Sequence, residues 1–255
     1  MSEAPADTGF KDHFSASSAD YARYRPRYPD ELADWLAAAA PSRALALDCG
    51  CGAGQLATLL ARRFERVVAT DASASQIAHA QPHPRVSYRV APAEHSGLAD
   101  ASVDLLSAAQ AAHWFDLPRF YAEARRALRP RGCIALITYG VASMPGPCGE
   151  LLRELHDRVL GPYWPAERQL VIDGYRDIDF PFHEIAAPPL DMLARWDLDE
   201  LLGYVRTWSA LRQAEAALGT APYDAFAQRL RAAWGDAGVR RDIRWPLRVR
   251  AGRLG

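Results

Sequence analysis

The stretch Leu45–Ala57, LALDCGCGAGQLA, sets Asp48, Gly50, Gly52 and Gly54 at alternate positions between an apolar run and a helix-like run. A turn made of glycine lets a ligand approach the backbone where a Cβ would hold it off, and it tolerates the dihedrals of a tight bend. Asp71 closes the next apolar run, RVVATD. A carboxylate at the tip of a second strand can accept hydrogen bonds from both hydroxyls of a ribose. A dinucleotide fingerprint requires G-x-G-x-x-G, and counted from Gly50 its third glycine is replaced by Gln55. The D-x-G-x-G-x-G form together with Asp71 points instead to an adenosine-type cofactor that lacks a pyrophosphate. Asp48 either touches that ligand or orients the turn by bonding its amides.

The elements that must position these residues alternate from Arg43 onward. ALALD, RVVATD, RVSYRVA, VDLLSAA and CIALITY read as short strands, and QLATLLARRF, SASQIAHAQ and the amphipathic LPRFYAEARRAL read as helices. Apolar runs of strand length followed by helical periods predict a parallel sheet covered on both faces, an α/β doubly wound fold. A helix from about Pro29 to Ala39 precedes it, with Asp30 and Glu31 in the first turn to suit the helix dipole. The rhythm breaks after Gly140. A possible sixth strand lies near 183–190, residues 198–235 are mainly helical, and VRRDIRWPLRVRAGR alternates as a half-exposed strand does. Pro246 inside that last strand predicts an edge position or a bulge. The expected organisation is an arm and helix over 1–39 that caps the cofactor site and a Rossmann-like core over 40–140. A lid or substrate-binding insertion over 141–235 and a final strand over 236–255 complete it.

The residues LDCGCGAG, VVATDAS, APAEHSGLADASVDLLSAAQAAHWFD and FYAEARRALRPRGCIAL resemble motifs of the class I methyltransferases that use S-adenosylmethionine, across most of residues 43–140. The resemblance implies that Gly50, Gly52 and Gly54 line the methionine part of the cofactor and that Asp71 holds the ribose. It also implies Ala72 along the adenine, Ala93 and Glu94 at the adenine edge, and Gln110 near the sulfonium. Pro92 stands where the family often carries an acidic residue for the adenine amino group. The N-terminal FSxxSxxYxxYRPxYP, with PYW…ER and RTWSA, resembles a subgroup that includes trans-aconitate methyltransferase-like enzymes.

Such enzymes displace an activated sulfonium methyl in line, so the protein chiefly aligns two reactants and shields them from water. A small acid would be the expected acceptor, and Arg binds a carboxylate through its planar fork. Arg25, Arg168, Arg176 and Arg206 are the candidate cations, with Tyr21, Trp114, Tyr163, Trp164 and Trp208 as walls. Tyr21 and Arg25 can alternatively close over the cofactor's own carboxylate. His113, beside Trp114 at the end of the fourth strand, is the candidate general base, although a carboxylate nucleophile needs none.

The bulk composition sets outer limits. With 30 basic against 31 acidic residues and a net charge of −1, no electrostatic footprint for nucleic acid or an anionic membrane is expected. Cys49 and Cys51 lack both a disulfide framework and metal-ligand spacing, so no metal is expected and a reducing cytoplasm is the default. Two other classes compete with the leading one: a nicotinamide-dependent oxidoreductase on the same sheet, and a non-catalytic protein that binds S-adenosylmethionine.

Overall fold

The computed structural model describes residues 24–254. Five strands, β1 (Leu45–Cys49), β2 (Arg66–Asp71), β3 (Val86–Val90), β4 (Val103–Ala109) and β5 (Leu128–Tyr139), pair in parallel. The sheet order is β3-β2-β1-β4-β5-β8-β6, where β8 (Arg241–Arg253) runs antiparallel between β5 and β6 (His183–Ile185). A further strand, β7 (Leu190–Trp196), also pairs with β8. Rossmann-like and mostly parallel, the sheet is the α/β fold that the alternating runs imply.

Strand alternation divides the apolar residues between two layers. Ala46, Leu105, Ala135 and Ile137 face one side, where α1 (Asp30–Ala39) and α2 (Gln55–Leu60) bring Leu32, Leu36, Leu56 and Leu60. Leu47, Leu106, Ile134 and Leu136 face the other, against Phe120 and Ala124 of α4 (Leu117–Ala127). Each such side chain contributes about 1.5–3 kcal/mol when fully buried. The short α3 (Ala74–Ala78) links β2 to β3. Asp116 caps α4 by accepting from the Arg119 amide, and Pro118 in the first turn removes an N–H that has no helical partner.

Beyond β5 the chain builds a helical layer over the carboxyl ends of the strands. α5 (Pro147–Arg153) runs directly into a π-helical turn, Glu154–Val159, and a 3₁₀ turn, Gly161–Tyr163, leads to α6 (Arg168–Ile172). After β7 come α7 (Leu198–Arg206), α8 (Ser209–Leu218) and α9 (Ala221–Trp234). A reciprocal capping box of Asp197 and Glu200 fixes the start of α7. The layer also holds the N-terminal segment: Tyr24 packs where Gly203 of α7 has no side chain.

Two details depart from the sequence reading. The single strand expected near 183–190 is two strands, β6 and β7, because Pro188 and Pro189 interrupt the ladder between them. Pro246 lies inside a strand with neighbours on both sides, rather than at an edge. It pairs with Asp191 of β7, while its carbonyl accepts from Gly140 just past the last β5–β8 pair, Tyr139 with Leu247. The missing N–H therefore falls where β5 has already ended.

Glu123 of α4 is a buried acid that the fold satisfies fully. Its Oε1 accepts from the Ser96 amide at 2.8 Å and the Ser96 hydroxyl at 2.5 Å, and Arg126 donates to both oxygens. Burial alone would raise its pKa, but the Arg126 and Ser96 hydrogen bonds outweigh burial and hold the carboxyl down to about 2. Because the folded value lies below the unfolded one of roughly 4.3, the stabilisation is complete above that value and is lost as pH falls toward 2. Glu123→Gln should be less stable than the parent at neutral pH. Its unfolding free energy, followed by urea titration, should also decline less between pH 4.5 and 2; parallel declines would remove Glu123 from this role.

Candidate active site

β1 is flanked by β2 and β4, so the strand order reverses beside it and a crevice opens beyond the carboxyl ends. The turn leaving β1 enters that crevice with Gly50, Gly52 and Gly54 all at left-handed φ, 66°, 53° and 84°. Their roles differ. A Cβ on Gly50 would lie 2.5 Å from the Ala111 methyl, and one on Gly54 would overlap the Tyr88 ring. Only at Gly52 is the position open, with Gln76 Oε1 nearest at 3.7 Å. Two glycines thus let the turn pack against its own protein, and the central one leaves room for a ligand.

Asp71 holds this turn. Its Oδ2 accepts from the Gly52 amide at 2.8 Å and its Oδ1 from the Ser73 amide at 2.9 Å. Each oxygen retains a lone pair for a further donor. Asp48 is buried at the end of β1; Ser107 donates to its Oδ1 at 2.8 Å, and no protein group donates to its buried Oδ2. Burial pushes this carboxyl up to about 7 against the opposing Ser107 bond, so a cationic ligand group beside Oδ2 would favour its charged form. Ala72 is exposed beside Asp71, and Ala93 is buried. Glu94 Oε1 accepts from the Asp116 amide at 2.9 Å, which ties the loop after β3 to the start of α4.

Gln110, the first residue past β4, is non-glycine at φ 55°, a conformation that costs about 1–3 kcal/mol. The conformation is held by its amide bonding Ile137 O at 2.8 Å, and its side chain donates to Tyr139 O at 3.3 Å. Tyr139, the last residue of β5, accepts from Arg25 Nη1 at 2.6 Å, and Tyr28 meets its ring edge-on. Arg25 also lies 5.9 Å from the ring centre of Tyr204. Burial raises the Tyr204 phenol, the neighbouring Tyr139 raises it further, and the cations Arg25 and Arg168 both pull it down. Arg168 stacks on Trp164 at 4.8 Å. Arg25, from the N-terminal segment, and Arg168, from α6, therefore meet one aromatic cluster, in which Trp208 packs against both Tyr204 and Trp164.

His113 sits at this recess, beside Trp114 at 4.8 Å, which is itself 38% exposed at the rim. Its Nδ1 lies 2.8 Å from the Tyr175 hydroxyl. Burial, with the His113 and Ala112 amides pulling weakly the other way, holds Tyr175 protonated well above the usual phenol range. Burial, reinforced by Arg168, pushes His113 down to about 4. With the phenol protonated and the ring neutral, the contact fits a phenol that donates to Nδ1 and a ring whose own proton is on Nε2. In this tautomer, and with its pKa pushed down to about 4, His113 would offer a donor at Nε2 in place of the base expected of it. Tyr175 is kept in place at φ 59° by Arg250, whose Nη1 bonds the carbonyls of Tyr175, Arg176 and Ile178 at 2.6–3.0 Å.

Other expected residues are not brought here. Arg206 faces away, stacked on Tyr223 at 3.9 Å and paired with Glu215, because two residues of helix separate it from inward-facing Tyr204. Arg176 is exposed and paired with Asp177. Trp208 is buried behind the recess, against Tyr204, Trp164 and His156. Tyr163 is half-buried in its 3₁₀ turn, and Tyr21 lies outside the described residues. Tyr139, His156, Tyr175 and Tyr204 went unnoticed in the sequence. Tyr139 carried a signal as the terminal residue of a strand beside the switch point and Tyr204 one in the helical period of α7, whereas His156 and Tyr175 lie in segments whose packing no periodicity reveals.

Residues 47–136 match the family model described as a methyltransferase domain. A methyltransferase of Dictyostelium discoideum is 34% identical over 212 residues, covering 82% of this chain and 81% of that protein. The chain is a class I S-adenosylmethionine-dependent methyltransferase. A solved structure described as a type II methyltransferase from Anaeromyxobacter dehalogenans is 48% identical and superposes with a TM-score of 0.86, covering 90% of this chain and 97% of that one. The malonyl-[acyl-carrier protein] O-methyltransferase of Dechloromonas aromatica is 39% identical over 127 residues, 49% of this chain and 47% of that protein. Membership sets aside the oxidoreductase reading. S-adenosylmethionine is the methyl donor of the family, and the turn fits it: open space at Gly52, an unpartnered carboxylate oxygen on Asp48 and spare lone pairs on Asp71. Among the described residues no helix of the methyltransferase is long and apolar enough to cross a membrane.

In ¹⁵N spectra of the methyltransferase, His113 should show a protonated Nε2 and should not titrate until pH approaches 4. Tyr175→Phe, which removes the donor to Nδ1, should lose that single tautomer; an unchanged signal would refute the lock.

Proposed function

We propose that this methyltransferase acts on the carboxylate of a small organic acid and releases its methyl ester. The observation that carries the reading is a pair of cations on one aromatic cluster, Arg25 over Tyr204 and Arg168 over Trp164, with Trp208 packed between the two rings. Two guanidinium groups in such surroundings favour an anionic guest, and a planar carboxylate suits the guanidinium fork. The named O-methyl transfer by the Dechloromonas relative supports oxygen as the atom methylated. The FSxxSxxYxxYRPxYP resemblance to trans-aconitate methyltransferase-like enzymes supports an acid.

When bound, S-adenosylmethionine supplies a sulfonium methyl already activated for in-line displacement. Asp71 would accept from the ribose hydroxyls, and Ala72, Ala93 and Glu94 would border the adenine. Gly52 and Asp48 would face the methionine part with Gly50 and Gly54 shaping the bend, and Gln110 would lie near the sulfonium. Arg168 and the His113 Nε2–H hold the acid, and Arg25 closes over both reactants. Trp114, Tyr163 and Trp164 wall the recess and keep water out. A carboxylate held in line with that methyl is already the nucleophile, so the protein has to align it and has no proton to remove. In this division of labour residues 1–39 cap the site, 40–140 hold the cofactor and 141–235 supply the acceptor half.

A panel of small organic acids, assayed for S-adenosylhomocysteine release and for methyl ester by mass spectrometry, tests the reading. Esters should form, and Arg168→Gln should raise KM for the acid about 10-fold or more. Methylation confined to amines or carbon acids would overturn it. Separately, Asp71→Ala should weaken S-adenosylmethionine binding by about 1–3 kcal/mol in calorimetry, since a charged acceptor and a tether of the turn go together. Unaltered affinity in a folded variant would remove Asp71 from the site.

A further inference from the structure

His156 is a second histidine next to Arg168, and it is 3% exposed. It lies in the π-helical turn between α5 and the 3₁₀ turn, a form of helix that recurs at functional sites. Trp164 packs on its ring at 4.8 Å and Trp208 meets it edge-on at 5.5 Å. The Trp164 indole is fixed in turn by donating to the His156 carbonyl at 3.0 Å.

The two ring nitrogens differ. Nδ1 lies 2.7 Å from the Asp157 carboxylate, which accepts only, so Nδ1 carries the proton. Nε2 is left with a lone pair, buried, and no protein group donates to it. A buried polar atom without a partner carries a desolvation penalty, and in a native protein it calls for an explanation. Burial together with Arg168 lowers the ring's pKa against the opposing pull of Asp157, so Nε2 stays an acceptor at neutral pH.

Asp157 thus sets the His156 tautomer, Tyr175 favours the opposite one at His113, and the charge of Arg168 acts on both rings. His113 offers a donor and His156 an acceptor. We propose that His156 Nε2 accepts a hydrogen bond from the methyl acceptor itself, so that the preferred substrate is an acid that also bears a hydroxyl or amide N–H. This rests on the carboxylate reading above and narrows it. An ammonium donor is disfavoured because Arg168 already places a positive charge beside the ring. The half-buried Trp164 ring suits an apolar carbon frame on which the hydroxyl is carried.

The test compares matched acids that differ by one hydroxyl, such as succinate with malate and phenylacetate with mandelate, by kcat/KM for ester formation. The hydroxylated member should be preferred about 10-fold or more by the parent enzyme. His156→Phe keeps a ring between the tryptophans and removes the acceptor, so the preference ratio should fall toward one. His156→Gln, whose amide oxygen can accept, should restore part of it. Equal ratios in the parent and His156→Phe, with acids still methylated, would overturn the role of His156 and leave the carboxylate reading standing. Failure of every acid would overturn both. Should His156→Phe not fold, ¹⁵N spectra of the parent with S-adenosylhomocysteine decide: an unprotonated Nε2 on His156 is expected, and a protonated one refutes the proposal.

Discussion

The Asp71 carboxylate joins the two halves of the cofactor crevice, and the geometry beyond it follows from that tie. By accepting the Gly52 and Ser73 amides it fixes the bend after β1 to the tip of β2. The Cys51 amide bonding Thr70 O at 3.0 Å adds a second tie across the same gap. With the bend fixed, a ligand has one approach, over Gly52, because Ala111 and Phe115 fill the space beside Gly50 and Tyr88 fills that beside Gly54. Each of its oxygens keeps a lone pair beyond the amide it accepts, so this carboxylate can serve a ligand as well as the turn.

The opposite wall is built by packing rather than by a sequence-local turn. Trp245 of β8 donates to Tyr204 Oη at 2.9 Å, and Trp196, Trp208 and Trp245 surround the Tyr204 ring at 5.0–5.6 Å from one another or from it. Tyr204, Trp208 and Trp245 are buried, so the cations beside this aromatic mass, Arg25 and Arg168, act through a lower dielectric than bulk water. It also explains why β8 must pass through the interior of the sheet. Only from there can one strand buttress Tyr204 through Trp245 and fix the Tyr175 loop through Arg250.

The cofactor half was legible in the sequence because its determinants are local. A glycine bend, a strand and an aspartate at the next strand tip lie within Leu45–Asp71, and each obeys a short-range rule. The five parallel strands were legible for the same reason. The acceptor half was not, since its residues come from β5, the π-helical turn, the loop after α6 and α7, brought together only by tertiary packing. Arg206 and Arg168 looked equivalent as letters, yet helix phase sends one to Tyr223 at the surface and the other to Trp164. The division of 183–196 into two strands depended on Pro188 and Pro189, whose meaning as a break emerges only once β8 supplies the ladder.

Histidine chemistry follows the same division. From sequence, a histidine at the end of β4 has the position of a base, and nothing local contradicts that. What decides its chemistry is a phenol from residue 175, held protonated by burial and presented by a residue at left-handed φ. The strain at Tyr175, like that at Gln110, is retained because the surrounding hydrogen bonds over-determine it. A recess that fixes the proton positions of both its histidines in advance is suited to holding an acid in one orientation. It is poorly suited to proton transfer, which needs a ring free to gain and lose a proton near neutral pH. Alignment without proton transfer is what methyl transfer to a carboxylate requires.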